Sequence, residues 1–215
     1  AYFGEEWTFS RYREQPPEHN LKFSDVREML EAECPQGQTN FCKEMAYSVI
    51  GRYDALPHGY QHSFLIRHPR KAITSMPRIA VSGEVRKWSD FDPREAGFHD
   101  MWSLYEHLCG SVATPPVVID SDKLLSQPRD AMRVYCDRLG LGFQETMLRW
   151  DNAESEERLE RWGPAWYRTL LNSTGFATTP RTGWSSPSPL PDPIEAVIDA
   201  AQPYYEKLYA RRLLF

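Results

Sequence analysis

Two residues that can bind an anion, Arg67 and Ser75, stand eight positions apart in a stretch that predicts a strand followed by a helix. Ser63 to Ile66 is short and largely apolar, as buried strands are. Pro69 suits the first turn of a helix, where its missing N–H costs no hydrogen bond. Arg67 is therefore expected at the carboxyl end of a strand, beside a helix N-terminus, an arrangement that favours anions. With the hydroxyl of Ser75 it would form a phosphate or sulfate clamp.

The same residues also fit a surface arginine and a helix serine without a ligand, because strand-Arg-x-Pro turns are common. Resemblance to a known family favours the clamp. Arg67-His68-Pro69 with Ser75 resembles the Arg-x-Pro…Ser signature of the sulfotransferases that use PAPS (3′-phosphoadenosine-5′-phosphosulfate). The run Phe41–Tyr47 and the segment from Val117 to Leu141 are also similar to motifs of that family, and they occur in the family's order. Together the three motifs cover about residues 40–150.

The resemblance implies an α/β fold, a three-layer sandwich with a mostly parallel sheet flanked by helices, as in P-loop NTPase-like sulfotransferases. It implies that Arg67 and Ser75 hold the 3′-phosphate of PAPS. After sulfuryl transfer, the product of PAPS is adenosine 3′,5′-bisphosphate. Arg181 and Gly183 resemble part of the family's C-terminal loop over the same phosphate. The family's phosphosulfate loop, Pro-(Lys/Arg)-Ser-Gly-(Thr/Ser)-Thr, normally precedes these motifs and has no counterpart in this sequence. We therefore expect either an N-terminally truncated domain or a protein that has lost half of its cofactor site.

Lys43 and Glu44 are the candidate catalytic residues. A short strand at Thr39–Cys42, followed by a helix from Lys43 towards Tyr53, would place them at a strand edge like that of Arg67. By resemblance, Lys43 would face the sulfuryl group and Glu44 would be the base that takes the proton of the acceptor. The alternative is an ordinary charged first turn of a helix.

Composition excludes several classes of protein. The chain of 215 residues is long enough for one substantial core, and its net charge of −5 argues against broad nucleic-acid binding. Its 4 cysteines lack the spacing of a zinc site or a disulfide scaffold, so no metal is expected. No apolar run approaches the ~20 residues of a membrane span. We expect a cytoplasmic protein that acts on a small-molecule or carbohydrate acceptor, and self-association is left open.

Strands and helices alternate along the chain, which indicates a mostly parallel sheet. Three strands are expected: Thr39–Cys42, the one that ends at Arg67, and Val117–Ile119. The expected helices are 25–33 capped by Ser24, one carrying Ser75, one from the Asp92-Pro93 pair to Gly110, 129–139, 154–171, and a final helix disturbed at Pro203.

We expect a single domain over residues 1–215, with a lid or loop region at 173–193 and a C-terminal helix at 193–214. The loop region is rich in Ser, Thr, Gly and Pro, and a surface linker is the alternative. Within it, Phe176 would either offer a face to adenine or anchor the loop to the core.

Three functions fit these observations. The first is a PAPS-dependent sulfotransferase that acts on a hydroxyl or amine. The second is a non-catalytic binding or scaffold protein with the same fold. The third is another P-loop-type enzyme, such as a small-molecule kinase. The sequence contains no Walker A pattern or acidic magnesium pair that would support it.

Overall fold

The computed structural model describes residues 22–80, 93–150, 173–176, 190 and 192–215. In this part of the chain a small parallel sheet is flanked by helices, so the fold is mixed α/β. The elements are α1 (Phe23–Glu31), β1 (Ser63–Ile66), α2 (Pro69–Ala80), α3 (Phe98–Ser111), β2 (Val117–Asp120), α4 (Ser121–Ser126), α5 (Pro128–Arg138) and α6 (Asp192–Tyr209). Short 3₁₀ turns lie at Ala46–Ser48, Tyr53–Ala55, Pro93–Ala96 and Glu145–Leu148.

The sheet consists of β1 and β2, which run parallel with Ser63 opposite Val117 and Ile66 opposite Asp120. All four residues of β2 are buried, whereas β1 alternates between exposed and buried side chains. The Leu213 N–H donates a hydrogen bond to the Val118 carbonyl at 2.8 Å, so the C-terminal tail joins β2. Among the described residues, no strand pairs with β1 on its other side.

The core lies between the sheet and three helices, because α6 packs against α2, α3 and both strands. Apolar positions of α3 and α6 recur at helical spacing and face the same interior. The most deeply buried side chains are Ile66, Ile73, Val118 and Leu208. The C-terminal helix is therefore a central element of the fold.

The predicted strand at Thr39–Cys42 and the helix after it are wrong. Residues 38–45 are irregular and exposed, with the Phe41 side chain 76% exposed, and only the turns at Ala46–Ser48 and Tyr53–Ala55 follow. A strand needs a neighbouring strand for its backbone groups, and the described residues supply none here. Gly51, with φ of +76°, also stops a helix between the two turns.

Several helix boundaries differ from the expected ones. The first helix begins at Phe23, since Asp25 accepts the Lys22 N–H at 2.8 Å and Ser24 lies inside the helix. Helix α3 begins after Gly97, whose φ of +65° few other residues adopt, and Pro93–Ala96 forms a separate 3₁₀ turn. Asp92 and the expected helix at 154–171 lie outside the described residues.

The C-terminal helix spans Asp192–Tyr209 and continues through Pro203, where a disturbance was expected. It ends earlier than residue 214, because the chain then turns and Leu213 reaches β2. Helix α4 was not expected. It forms because the carboxylate of Asp120 accepts the Lys123 N–H at 3.0 Å and caps its first turn.

Candidate functional site

Arg67 follows β1 directly, at the carboxyl end of the parallel sheet. Its predecessor Ile66 is opposite Asp120, so the next residues, Arg67 and Ser121, leave the two strands at the same edge. Helix α2 begins at Pro69, as the sequence predicts. Ligands of open α/β sheets bind at this kind of edge, and we refer to it below as the carboxyl edge.

The guanidinium of Arg67 has an unsatisfied donor. Its Nε atom is buried and has no hydrogen-bond partner. A buried N–H without an acceptor is unfavourable, and most such groups in proteins are paired. The buried Nε of Arg67 therefore has a donor that no group in the described part of the protein satisfies.

The neighbouring cations are already paired. Arg70 makes two hydrogen bonds to Glu195 of α6, at 2.9 and 2.6 Å, and Lys71 pairs with Asp122 of α4 at 2.8 Å. The bond from Arg70 holds the pKa of Glu195 below its ordinary value. Among the cations of the β1–α2 connection, Arg67 is thus the one for which the described chain supplies no carboxylate.

Asp120 and Tyr205 form a buried pair beneath the carboxyl edge. The Tyr205 hydroxyl donates to Asp120 at 3.1 Å, and Asp120 is only 3% exposed. Burial and the nearby carboxylate raise the pKa of Tyr205 well above its ordinary value, so the phenol keeps its proton. The ring of His68 packs edge-on against Tyr205, with centroids 5.5 Å apart. The pair fixes α6 to the end of β2.

Ser75 lies in α2, so the structure places it in the same strand–helix unit as Arg67. Its hydroxyl donates to the Ala72 carbonyl at 2.6 Å, within its own helix. The side chain is half-buried. To donate to a bound anion, the hydroxyl would have to leave this carbonyl.

Lys43 and Glu44 lie in the exposed irregular segment and not at a strand end, which corrects their expected position. The Glu44 carboxylate accepts the Met45 N–H at 2.8 Å and the Ser48 hydroxyl at 3.2 Å. Lys43 contacts the sulfur of Met45 at 3.9 Å. These contacts stabilise the turn at Ala46–Ser48, and none of them joins the two residues to Arg67.

The segment 173–176 is held against residues 148–150. Gly175 forms an isolated antiparallel bridge with Arg149, and a Cβ at Gly175 would lie 2.9 Å from the Leu148 carbonyl oxygen. The Phe176 ring packs edge-on against Trp150 at 5.4 Å. Trp150 is not among the core residues, so both roles expected for Phe176 stay predictions. Arg181 and Gly183 lie outside the described residues.

In the described residues, no group of His, Cys, Asp and Glu side chains could hold a metal ion. None of the helices in the same ranges is long and apolar enough to cross a membrane.

Sequence reasoning missed the Asp120–Tyr205 pair and the Arg70–Glu195 pair. Each joins residues that are far apart in the chain, so no local pattern announces it. Asp is a typical helix-capping residue, and Asp120 stands three positions before Lys123. This signal could have revealed the role of Asp120 and the start of α4.

Comparison with known proteins identifies the family. The family model of the sulfotransferase domain matches residues 24–212. Branched-chain-amino-acid aminotransferase-like protein 2 of Arabidopsis thaliana is 34% identical over 139 residues, which are 64% of this chain and 23% of that protein. Sulfotransferase ppzF of Metarhizium majus is 29% identical over 178 residues, covering 70% of this chain and 52% of the fungal protein. A search of solved structures gave no match.

The chain therefore belongs to the sulfotransferase domain family, as its motifs indicate. It spans about a quarter of the length of the plant relative and about half of that of the fungal one.

Proposed function

We propose that this chain is a sulfotransferase that uses PAPS and transfers the sulfuryl group to a hydroxyl or amine of a small-molecule or carbohydrate acceptor. The observation that carries the proposal is the buried, unpartnered Nε of Arg67 at the carboxyl edge. Membership of the sulfotransferase family supports the reaction class. PAPS supplies the activated sulfuryl group, and this chain would supply the contacts to its 3′-phosphate.

In this proposal Arg67 binds the 3′-phosphate through a charge-assisted hydrogen bond, which is stronger than a neutral one. Ser75 would contribute its hydroxyl after rotation away from Ala72. Arg181 and Gly183 are proposed to cover the same phosphate from the C-terminal region.

Lys43 and Glu44 are proposed as the residues near the transferred group. Lys43 would stabilise charge on the oxygen that leaves, and Glu44 would accept the proton of the acceptor as its oxygen or nitrogen bonds to sulfur. We also propose that the two strands belong to the wider parallel sheet of a three-layer sandwich.

The 3′-phosphate contact is tested by comparing adenosine 3′,5′-bisphosphate with adenosine 5′-monophosphate in thermal unfolding and calorimetry. Because a ligand that binds the folded state stabilises it, the bisphosphate should raise the Tm more than the monophosphate does. Arg67→Ala should abolish this difference. Arg67→Lys should restore little of it, since lysine keeps the charge and lacks the planar Nε–H donor.

The matched control is Arg138→Ala, which removes an exposed arginine from the other end of the sheet. Gln61, just before β1, bonds to the carbonyl of Leu139, next to Arg138. This variant should keep the preference for the bisphosphate. Equal stabilisation of the wild-type protein by both nucleotides would contradict the proposed clamp. Binding without any sulfuryl transfer, in a protein that also carries the phosphosulfate loop, would favour the non-catalytic binding protein.

A further inference from the structure

A second buried polar atom without a partner lies at the carboxyl edge. The hydroxyl oxygen of Ser121 is buried and makes no hydrogen bond, as is true of the Nε of Arg67. Trp150 holds the remaining buried side-chain atom of this kind in the described ranges. Ser121 and Arg67 are therefore two unsatisfied groups that the fold brings to one end of the sheet.

The register of the strands brings Arg67 and Ser121 to the same end of two neighbouring strands. Ile66 is opposite Asp120, and each of the two residues comes one position later. Neighbouring strands lie about 4.8 Å apart, so the chain leaves the sheet at two adjacent points here. One ligand group of small size could therefore accept a hydrogen bond from both side chains.

The contacts around Ser121 do not explain why its buried hydroxyl makes no hydrogen bond. A serine at the start of a helix commonly caps the first turn, but here Asp120 has that role, through its bond from the Lys123 N–H at 3.0 Å. The second carboxylate oxygen of Asp120 accepts the hydroxyl of Tyr205 at 3.1 Å. Asp120 is thus engaged on both oxygens and leaves the hydroxyl of Ser121 without an acceptor.

The chemistry of the two groups limits the ligand. The Nε–H of Arg67 can only donate, and a hydroxyl can donate as well as accept. A group with several acceptor oxygens and a negative charge satisfies both, whereas an amine or another cation does not. Lys71 is paired with Asp122, so neither of these two residues competes for the ligand as a free charge.

We propose that Ser121 is a second ligand of the 3′-phosphate, donating its hydroxyl to the same phosphate group as Arg67. This inference rests on the proposed function, and it adds a residue that sequence reasoning does not assign to the phosphate. Ser121 thereby becomes a specificity-determining residue that favours nucleotides phosphorylated at the 3′ position.

The test is Ser121→Ala, measured by calorimetry with adenosine 3′,5′-bisphosphate and adenosine 5′-monophosphate on the full chain. We expect the affinity for the bisphosphate to fall about tenfold or more, since a hydrogen bond to a charged group is lost. The affinity for the monophosphate should stay within about twofold, because that nucleotide lacks the phosphate in question. Without nucleotide, the Tm should not fall, since the variant removes a hydroxyl that has no partner.

The matched control is Ser126→Ala at the other end of α4. The exposed Ser126 hydroxyl donates to the Lys123 carbonyl at 2.9 Å and does not reach the carboxyl edge. This variant should bind both nucleotides as the wild-type protein does. Ser121→Cys, with a similar size and a weak donor, replaces Ser121→Ala if the alanine variant does not fold.

Three outcomes separate the two proposals. If the wild-type protein does not prefer the bisphosphate, the proposed function fails. If Arg67→Ala removes the preference and Ser121→Ala retains it, only the role of Ser121 is overturned. If Ser121→Ala weakens both nucleotides equally, Ser121 supports the fold or contacts the adenosine, and its role in 3′-phosphate selection is likewise overturned.

Discussion

Glu44 is proposed as the catalytic base, but its observed contacts are those of a residue that supports a turn. Its carboxylate stabilises a 3₁₀ turn through Met45 and Ser48, in a segment that is exposed. Loss of the carboxylate charge affects turnover if the residue takes a proton, but not if the residue only supports a turn. A glutamine retains one acceptor oxygen for the turn and cannot act as a base.

In a protein with an intact phosphosulfate loop restored, Glu44→Gln is therefore expected to lower sulfuryl-transfer turnover by about 10²–10⁴-fold, the usual contribution of a positioned general base. The Tm and the affinity for adenosine 3′,5′-bisphosphate should change little. Steady-state kinetics and calorimetry on the same preparation measure both quantities. Glu28→Gln, at an exposed position of α1, is the control for removing one negative charge. Unchanged turnover in Glu44→Gln would leave the carboxylate a turn-supporting role alone.

At this scale the sequence predicted what depends on near neighbours. The position of Arg67 at a strand end and of Pro69 at a helix start follow from the local pattern, and both are confirmed. The unpaired hydroxyl of Ser121 depends on the register of two strands far apart in the chain. Residue types alone do not reveal such a register.

At the scale of elements, α6 joins parts of the chain that form the carboxyl edge. It contacts Asp120 through Tyr205 and the first turn of α2 through Glu195. The sequence predicted this helix from its apolar spacing and its Asp-Pro start. It did not predict the two polar contacts, which depend on how the helix packs.

Tyr205→Phe is expected to destabilise the fold by about 1–3 kcal/mol, because it leaves a buried carboxylate oxygen of Asp120 without its donor. Unfolding in urea measures the change. Tyr204→Phe is the matched control, since Tyr204 contributes its ring to contacts with His99 and Lys207. An equal effect of the two substitutions would show that the Tyr205 hydroxyl has no special role.

The pairing of Glu195 with Arg70 predicts a dependence of stability on pH. The pKa of Glu195 is lowered from its ordinary value of 4.5 in the folded protein, chiefly by the hydrogen bond from Arg70. A carboxyl whose pKa falls on folding stabilises the protein above its unfolded pKa, and this stabilisation is lost as the pH falls through the folded pKa.

Glu195→Gln should therefore lower the Tm at pH 7, and the gap from the wild-type protein should close as the pH falls below 4.5. Thermal unfolding over a pH series gives the comparison. Glu206→Gln, which removes a carboxylate that accepts from Gln202, should show no comparable pH-dependent gap. A gap for Glu195→Gln that stays constant at low pH would exclude an origin in this ion pair.

At the scale of the whole molecule, the two faces of β1 differ, since one packs against the core and the other is exposed. Ile66 is 1% exposed and faces the core shared with α2 and α6, whereas Leu65 is 61% exposed on the other face. We expect Ile66→Ala to cost about 2–5 kcal/mol, as large-to-small core substitutions do. Leu65→Ala should cost about 0.5 kcal/mol or less, as surface substitutions do. Chemical unfolding of both variants tests this contrast.

A comparable loss of stability in Leu65→Ala would mean that another segment or another chain covers this face. That outcome would add a packed layer over this face of the sheet, as in a three-layer sandwich. It would not alter the assignment of the core, which Ile66→Ala tests independently.

For the whole molecule, the sequence predicted an α/β fold from alternating strands and helices, and the mixed α/β class with a parallel pair is confirmed. It failed at Thr39–Cys42, a short run of Thr, Asn, Phe and Cys that has no strand to pair with among the described residues. Local preference is a weak guide to strands, because a strand forms only when tertiary neighbours complete its hydrogen bonds.

The contact of Leu213 with Val118 has a consequence for synthesis of the protein on the ribosome. Leu213 and α6 are made later than β2, and Leu213 joins a strand that was made about a hundred residues earlier. A nascent chain that lacks them cannot close the core around Val118 or give Asp120 its partner from Tyr205. The nucleotide binding that we propose at the carboxyl edge should therefore arise only after α6 has left the ribosome.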